Sequence, residues 1–171
     1  YFITGRTFKG VSMNHNNIYK RYDIYKRILF CTDFSANADF ALDFAIEVAK
    51  RRDDSTLYIM HVNPYPEYID GTRGRAKRER EINRKIEDTY VSKLKEVPRY
   101  KIIFKVSSSP YLEILDFIEE KKCDMVILGR HGETGWMKTV VGSTSERVVR
   151  KALCPILIIP ERFKEIVAKQ K

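Results

Sequence analysis

Apolar positions along this chain fall into two alternating patterns. Short unbroken runs at residues 27–32 (RILFCT), 55–62 (STLYIMHV), 101–106, 125–128 (MVIL) and 155–159 are rich in β-branched and aromatic residues and predict strands. Between them the spacing changes to threes and fours. Phe40, Ala41, Phe44, Ala45, Val48 and Ala49 predict a helix from Ala36, opened by the turn Asp33, Phe34, Ser35. Ile82, Ile86, Tyr90 and Leu94, four apart, predict a long charged helix over 75–97, which the order of Glu81 and Lys85 supports. Pro110 behind Ser109 opens a third helix, with Leu112, Leu115 and Ile118 on one side as far as Lys122. A fourth covers 143–151, with Val148 and Val149 inward.

Strands alternating with helices, without an internal repeat, predict one doubly wound α/β domain with right-handed crossovers and a parallel sheet. The reading divides the chain into an N-terminal tail (1–25), the domain (26–160) and a basic C-terminal tail (161–171). Because Met13 is the first methionine, residues 1–12 are expected to be an expression-derived leader.

Composition changes the picture in three ways. A length of 171 residues with 43% hydrophobic and 32% charged residues fits one soluble domain, and no apolar run reaches the length of a membrane span, so no membrane partner is expected. Cys31, Cys123 and Cys154 lie far apart with no C-x-x-C pair, and His15, His61 and His131 lack metal-ligand spacing; reduced thiols, no protein metal site and a cytoplasmic location follow. The net charge of +9 favours anionic partners without choosing one. The basic clusters Lys20, Arg21, Lys26, Arg27 and Arg73, Arg75, Lys77, Arg78, Arg80 are read as solvated faces, and nucleic acid is not the expected partner.

The candidate chemistry lies after the strand at 125–128. Gly129, Gly132 and Gly142 are separated by two and then nine residues, and Ser143, Thr144 and Ser145 follow at once as a helix opening. Glycine lets backbone N–H groups approach an anion, and a helix start adds unpaired amides and the positive end of its dipole. Strand, glycine loop and hydroxyl-rich helix start in succession point to a phosphate site. In open α/β sheets such sites lie beyond the carboxyl ends of the strands where the strand order reverses.

With these residues in view, the chain resembles the universal stress protein family over residues 26–160. The resemblance rests on CTDFS after the first strand, HV closing the second, SP-x-x-E-I opening the third helix, and DMVILGRHG followed by GSTSERVV and CPILIIP. The G-x2-G-x9-G-[S/T] spacing marks the family's ATP-binding branch, and Gly129, Gly132, Gly142 and Ser143 satisfy it.

The resemblance implies a five-stranded parallel sheet in the order 3-2-1-4-5 with helices on both faces, a homodimer, and ATP with Mg²⁺ or Mn²⁺ between the first and fourth strands. It implies that Asp33 lies near the adenosine, that Cys31 and Thr32 wall the base, and that the Val62 main chain bonds the adenine edge. Leu128, Gly129, Arg130, His131 and Gly132 would form the loop, and Gly132, Gly142, Ser143, Thr144 and Ser145 would hold the phosphates. His61 and His131 are expected to support loops rather than touch ligand. Ser108 stands where the family often has glycine, and either crowds the ribose or bonds it. Arg130 either adds a cation near the phosphates or points to solvent.

The leading expectation is a nucleotide-binding regulatory and stress-response module without dedicated catalysis, since neither G-x-x-x-x-G-K-[ST] nor H-R-D occurs. Slow hydrolysis or self-phosphorylation at Ser143 or Thr144 stays open. The alternatives are a slow ATPase or adenylate-transferring enzyme of the adenine-nucleotide α-hydrolase-like group, and a nucleic-acid or partner-binding module using the basic segment near Arg73.

Overall fold

Strands β1 (Arg27–Cys31) and β4 (Met125–Gly129) run side by side at the centre of a computed structural model that describes residues 25–64, 71–130, 142–160 and 163–169. Ile28, Leu29, Phe30, Val126, Ile127 and Leu128 are buried on the two faces, which is why these stretches are uninterrupted in hydrophobicity instead of alternating. With β2 (Thr56–Asn63), β3 (Tyr100–Val106) and β5 (Ile156–Ile159) they make a five-stranded, all-parallel sheet in the order β3-β2-β1-β4-β5, as expected.

Helices α1 (Ala36–Ala49) and α2 (Gly71–Leu94) cover one face, where Phe30, Ile59 and Ile127 meet Leu42, Ile86 and Tyr90. Helices α3 (Pro110–Lys121) and α4 (Ser143–Lys151) cover the other, where Leu29, Met60 and Val126 meet Ile114, Phe117 and Val148. Strand order therefore reverses between β1 and β4, and the loops leaving their carboxyl ends diverge to opposite faces. At the amino ends, the Asp124 carboxylate accepts the N–H groups of Lys26 and Arg27 at 3.1 and 3.0 Å, tying the entries of these two strands together. Burial pushes the Asp124 carboxyl above its ordinary range in spite of those bonds.

Helix starts follow local chemistry. The Ser35 hydroxyl accepts the Ala38 N–H at 3.2 Å, and Pro110 occupies the first turn of α3. Four details differ from the sequence reading. Helix α2 runs from Gly71 to Leu94 where the spacing predicts 75–97, since the stripe Ile82, Ile86, Tyr90 and Leu94 marks the packed part of the helix and not its ends. In α3 the buried residues are Ile114, Phe117 and Ile118, whereas Leu112 is exposed. In α4 Val148 is buried and its neighbour Val149 is 48% exposed, since adjacent positions point about 100° apart on a helix. Within the C-terminal tail the chain forms a short helix, α5 (Phe163–Ala168), whose Phe163 ring lies 5.4 Å from Phe44.

Candidate functional site

Past the last residue of β1 the chain enters a loop fastened on every side. Thr32 N–H donates to Met60 O at 2.9 Å, and Thr32 O lies 2.9 Å from His61 Nδ1. A carbonyl only accepts, so His61 carries its proton on Nδ1. The Thr32 side chain belongs to a directed chain of hydrogen bonds. Tyr90 Oη lies 2.5 Å from Asp39 Oδ1 and 3.1 Å from Thr32 Oγ1, while Phe34 N lies 2.9 Å from Thr32 Oγ1. A carboxylate accepts only, so Tyr90 spends its single proton on Asp39. Thr32 must then donate to Tyr90, and Phe34 N–H donates to Thr32. Burial, with help from Asp39, raises the Tyr90 hydroxyl well above the usual tyrosine range and keeps it a donor.

Phe34 has a positive φ of 63°, uncommon for a bulky residue and sustained here by its surroundings. Its ring lies 4.9 Å from His61 and 6.2 Å from Tyr90, and Lys85 Nζ sits 4.1 Å above its centroid. Asp33 Oδ1 accepts the Ser35 N–H at 3.1 Å, which shapes the turn into α1. His61 is buried, and burial lowers its pKa below the ordinary value of 6.5. It supports the loop, as expected for this histidine.

Cys31 closes β1 on the opposite face, among Leu29, Met60 and Leu128. Its thiol is pushed far above the ordinary range by burial, which disfavours the thiolate. Cys123 is likewise pushed up to about 12, and all three cysteines are free. Asn63 O accepts from Ser107 N at 3.0 Å on the β3 side, and strand alternation turns the main chain of Val62 to the β1 side, beyond the rung at Thr32. Ser108 is exposed at the end of β3, where Ser107 Oγ accepts the Ser109 N–H at 3.1 Å.

The exit of β4 is built differently. Gly129 leaves the sheet under the first turn of α1, where a Cβ would stand 3.1 Å from Asn37 Nδ2 and 3.3 Å from the Ala38 nitrogen. Close packing of helix on strand therefore favours glycine here, independently of any ligand. Arg130 N donates to Ile159 O at 3.0 Å, and Arg130 O accepts the Gly142 N–H at 2.8 Å. The two ends of the glycine loop are thus clasped together. Ser145 is buried, and its hydroxyl donates to Gly129 O at 3.2 Å. That hydroxyl braces the loop base, while Ser143 is exposed and Thr144 half-buried at the open start of α4. His131 and Gly132 lie outside the described residues.

Of the residues singled out from the sequence, Cys31, Thr32, Asp33, Val62, Leu128, Gly129, Arg130, Gly142, Ser143, Thr144 and Ser145 all fall at the carboxyl ends of β1, β2 and β4 or at the start of α4. This arrangement fits a polyanionic ligand: α4 presents its opening turn, and the Gly142 N-cap makes no side-chain bond that would occupy those amides. Phe34, Asp39, Lys85 and Tyr90 are legible in the sequence as turn and helix residues but not as parts of the site. The one available signal was a tyrosine within an Ile/Leu stripe, since a buried hydroxyl requires a partner.

Comparison with known proteins agrees with this architecture. Universal stress protein MJ0531 of Methanocaldococcus jannaschii is 30% identical over 152 residues, covering 84% of this chain and 86% of that one. The solved structure of MJ0577, described as a hypothetical protein, superposes with a TM-score of 0.70 at 26% identity, covering 81% of this chain and 97% of that one. A universal stress protein from Archaeoglobus fulgidus, solved in complex with dAMP, superposes with a TM-score of 0.59 at 25% identity over 80% of this chain and 98% of that one. Residues 24–160 match the model of the Universal stress protein family, and the chain belongs to that family.

Proposed function

We propose that this protein is a nucleotide-responsive regulatory module of the stress response that binds ATP, with Mg²⁺ or Mn²⁺ on its phosphates, between the carboxyl ends of β1 and β4. The observation that carries the reading is the pairing of two unlike loops at the strand-order reversal: a fully bonded loop at Thr32–Phe34 beside a clasped glycine loop that ends in an open helix start at Gly142. The dAMP-bound relative from A. fulgidus supports an adenine nucleotide as the ligand.

In this reading Cys31, Thr32 and Asp33 bound the base and ribose, and the Val62 main chain meets the adenine edge. The amides of Ser143 and Thr144 hold the phosphates together with Gly132 and Arg130, Gly142 allows close approach while its own N–H stays on Arg130 O, and His131 supports the loop. Leu128 and Gly129 set the loop's origin, and Ser145 braces it. The role is binding without dedicated catalysis, because the nearby Thr32, Asp33, His61 and Ser145 use polar atoms to hold the loops in place. Titration calorimetry with ATP and Mg²⁺ tests this: micromolar binding is expected, and no heat up to millimolar ATP overturns it. Turnover above about one per minute would instead favour an enzyme.

The protein is further proposed to act in the cytoplasm as a homodimer that pairs across the open edge of β5. Free thiols at Cys31, Cys123 and Cys154 are at home in a reducing compartment. Among the described residues no helix is long and apolar enough to cross a membrane. On β5, Ile156 and Ile158 stay half-exposed and the nearby Leu153 is 89% exposed, an edge that a second copy would cover. Ile159 O binds Arg130 N on the β4 side, so Ile158 directs its backbone outward. Ile158→Pro should therefore leave the β4 ladder intact and give a monomer by light scattering; an unchanged mass rules out this edge.

A further inference from the structure

Helix α2 carries a second ordered feature, on the side away from the sheet. Its buried stripe is Ile82, Ile86, Tyr90 and Leu94. Arg73, Lys77, Arg80 and Arg84 follow one another at steps of four, three and four residues, which places them within an arc of roughly 60° on the helix. All four are exposed. The rise of the helix spaces them about 5–6 Å apart along its axis, over a span of about 17 Å. Among the described residues Arg73, Lys77 and Arg80 enter no ion pair, and Arg84 meets Asp88 at 3.6 Å across a surface where both are more than two-thirds exposed.

A face that served only for solvation would alternate its signs at these spacings and place acids in the first turn. Along the stripe like charges stand at i, i+3 and i, i+4, Glu81 and Asp88 being the acids four residues beyond Lys77 and Arg84, and the first turn has no acidic residue. Both choices work against the helix, so its own stability does not call for them. The register on the folded helix, which the charge count does not contain, distinguishes this segment from a solvated face.

We infer that the outward face of α2 docks the phosphodiester backbone of a duplex nucleic acid through Arg73, Lys77, Arg80 and Arg84. The surroundings of the stripe select among polyanions. Between the cations the exposed positions on this half of the helix are occupied by further Arg, Lys and Glu, with no aromatic or large aliphatic residue. A protein interface would need such a residue as an anchor, a membrane-surface helix would need an apolar face, and a single strand would need rings on which its bases stack. Contact with duplex phosphates needs only regularly spaced cations and is largely blind to sequence. The stripe ends where Glu87 and Asp88 begin, which limits the footprint to the amino half of the helix.

The test is fluorescence anisotropy with the full chain against a labelled 30-base-pair DNA duplex and the same sequence as duplex RNA, starting at 50 mM KCl. Binding is expected with a log–log salt slope of about −3.6, as four neutralised phosphates require. The variant R73Q/K77Q/R80Q/R84Q should bind about 30-fold more weakly and lose most of that slope. A control with equal charge loss elsewhere, K95Q/R99Q/K101Q/K122Q, should stay within about threefold of the parent. The pair variant R73Q/R80Q, which should lose about half the slope, keeps the test valid should the fourfold change disturb the fold by circular dichroism. The two duplexes decide between DNA and RNA as the source of the backbone. Failure to bind either, equal losses in stripe and control variants, or binding of polyglutamate alone would each overturn the inference.

Discussion

Two neighbouring parallel strands, β1 and β4, end side by side and hand the chain to loops of opposite construction. The β1 exit is held by side chains: Tyr90, Asp39, His61 and the hydroxyl of Thr32 form a connected network that reaches from the loop into α1 and α2. The β4 exit, as far as the described residues show it, is held by backbone bonds of Gly142 N–H to Arg130 O and Arg130 N–H to Ile159 O, with a side-chain brace from Ser145. In the proposed reading a rigid wall suits a flat base, whose position must be defined, whereas the clasped β4 loop spends the Arg130 and Gly142 amides on itself and leaves those at the start of α4 for phosphates. The contrast also separates what mutation should do. Damage at β1 should spread into stability, and damage at β4 should fall mostly on binding.

The largest effect is expected from Gly142→Val. Gly142 has φ −63° and ψ 153°, a region open to any residue, so the fold should survive while the branched side chain blocks approach to the proposed phosphate site. Calorimetry should register a loss of ATP affinity of about 100-fold or more, roughly 2.7 kcal/mol, with little change in thermal midpoint. A matching collapse of stability would erase the distinction between the two loops.

Next comes Tyr90→Phe, which removes a hydroxyl bonded to both Thr32 and Asp39 and leaves their buried polar atoms without it. Urea denaturation should report about 2 kcal/mol of destabilisation. ATP affinity should fall less than for Gly142→Val; a larger fall would make the β1 network part of the binding machinery and not its support.

Gly129→Ala sharpens the comparison from the other side, because this glycine belongs to the β4 loop by sequence but to helix packing by contact. A methyl group in that space should cost about 1–2 kcal/mol of stability. Nucleotide affinity measured well below the melting transition should change little. If the affinity falls while stability holds, Gly129 is a ligand-approach residue after all.

The smallest effect is a dependence on pH located at β1. Burial lowers the folded-state pKa of His61 below 6.5, so the unfolded chain binds the proton more readily than the folded one. Stability from this residue is complete above about pH 6.5 and is lost as the pH falls towards the folded value, by at most about 1.4 kcal/mol per unit. Urea midpoints at pH 8 and pH 5.5 should differ in the parent and differ less in His61→Gln. An equal difference in both proteins would assign the effect to other groups.

Much of this molecule was legible in the order of its residues. The apolar runs of β1 and β4 identify central strands because burial on both faces leaves no polar positions, and the sequence Gly142, Ser143, Thr144, Ser145 marks a helix start because its chemistry is local. Locally, however, Ser143, Thr144 and Ser145 are indistinguishable as hydroxyl donors. Only the turn of α4 against the sheet sends Ser145 inward to Gly129 O and leaves Ser143 outside. The bond from Tyr90 to Thr32 joins residues 58 apart in the chain, and periodicity could report that Tyr90 is buried but not what its hydroxyl meets.

By itself, the sequence determined the alternation of strands and helices and the family to which it belongs, and it singled out the glycine loop after β4 as the anion site proposed here, because each depends on spacing within a few neighbouring residues. The folded structure alone decided which glycine serves packing, which hydroxyls are committed, and that the α2 cations form one outward stripe. These depend on how distant segments are rotated against one another, and that rotation is set by the packing of the two cores.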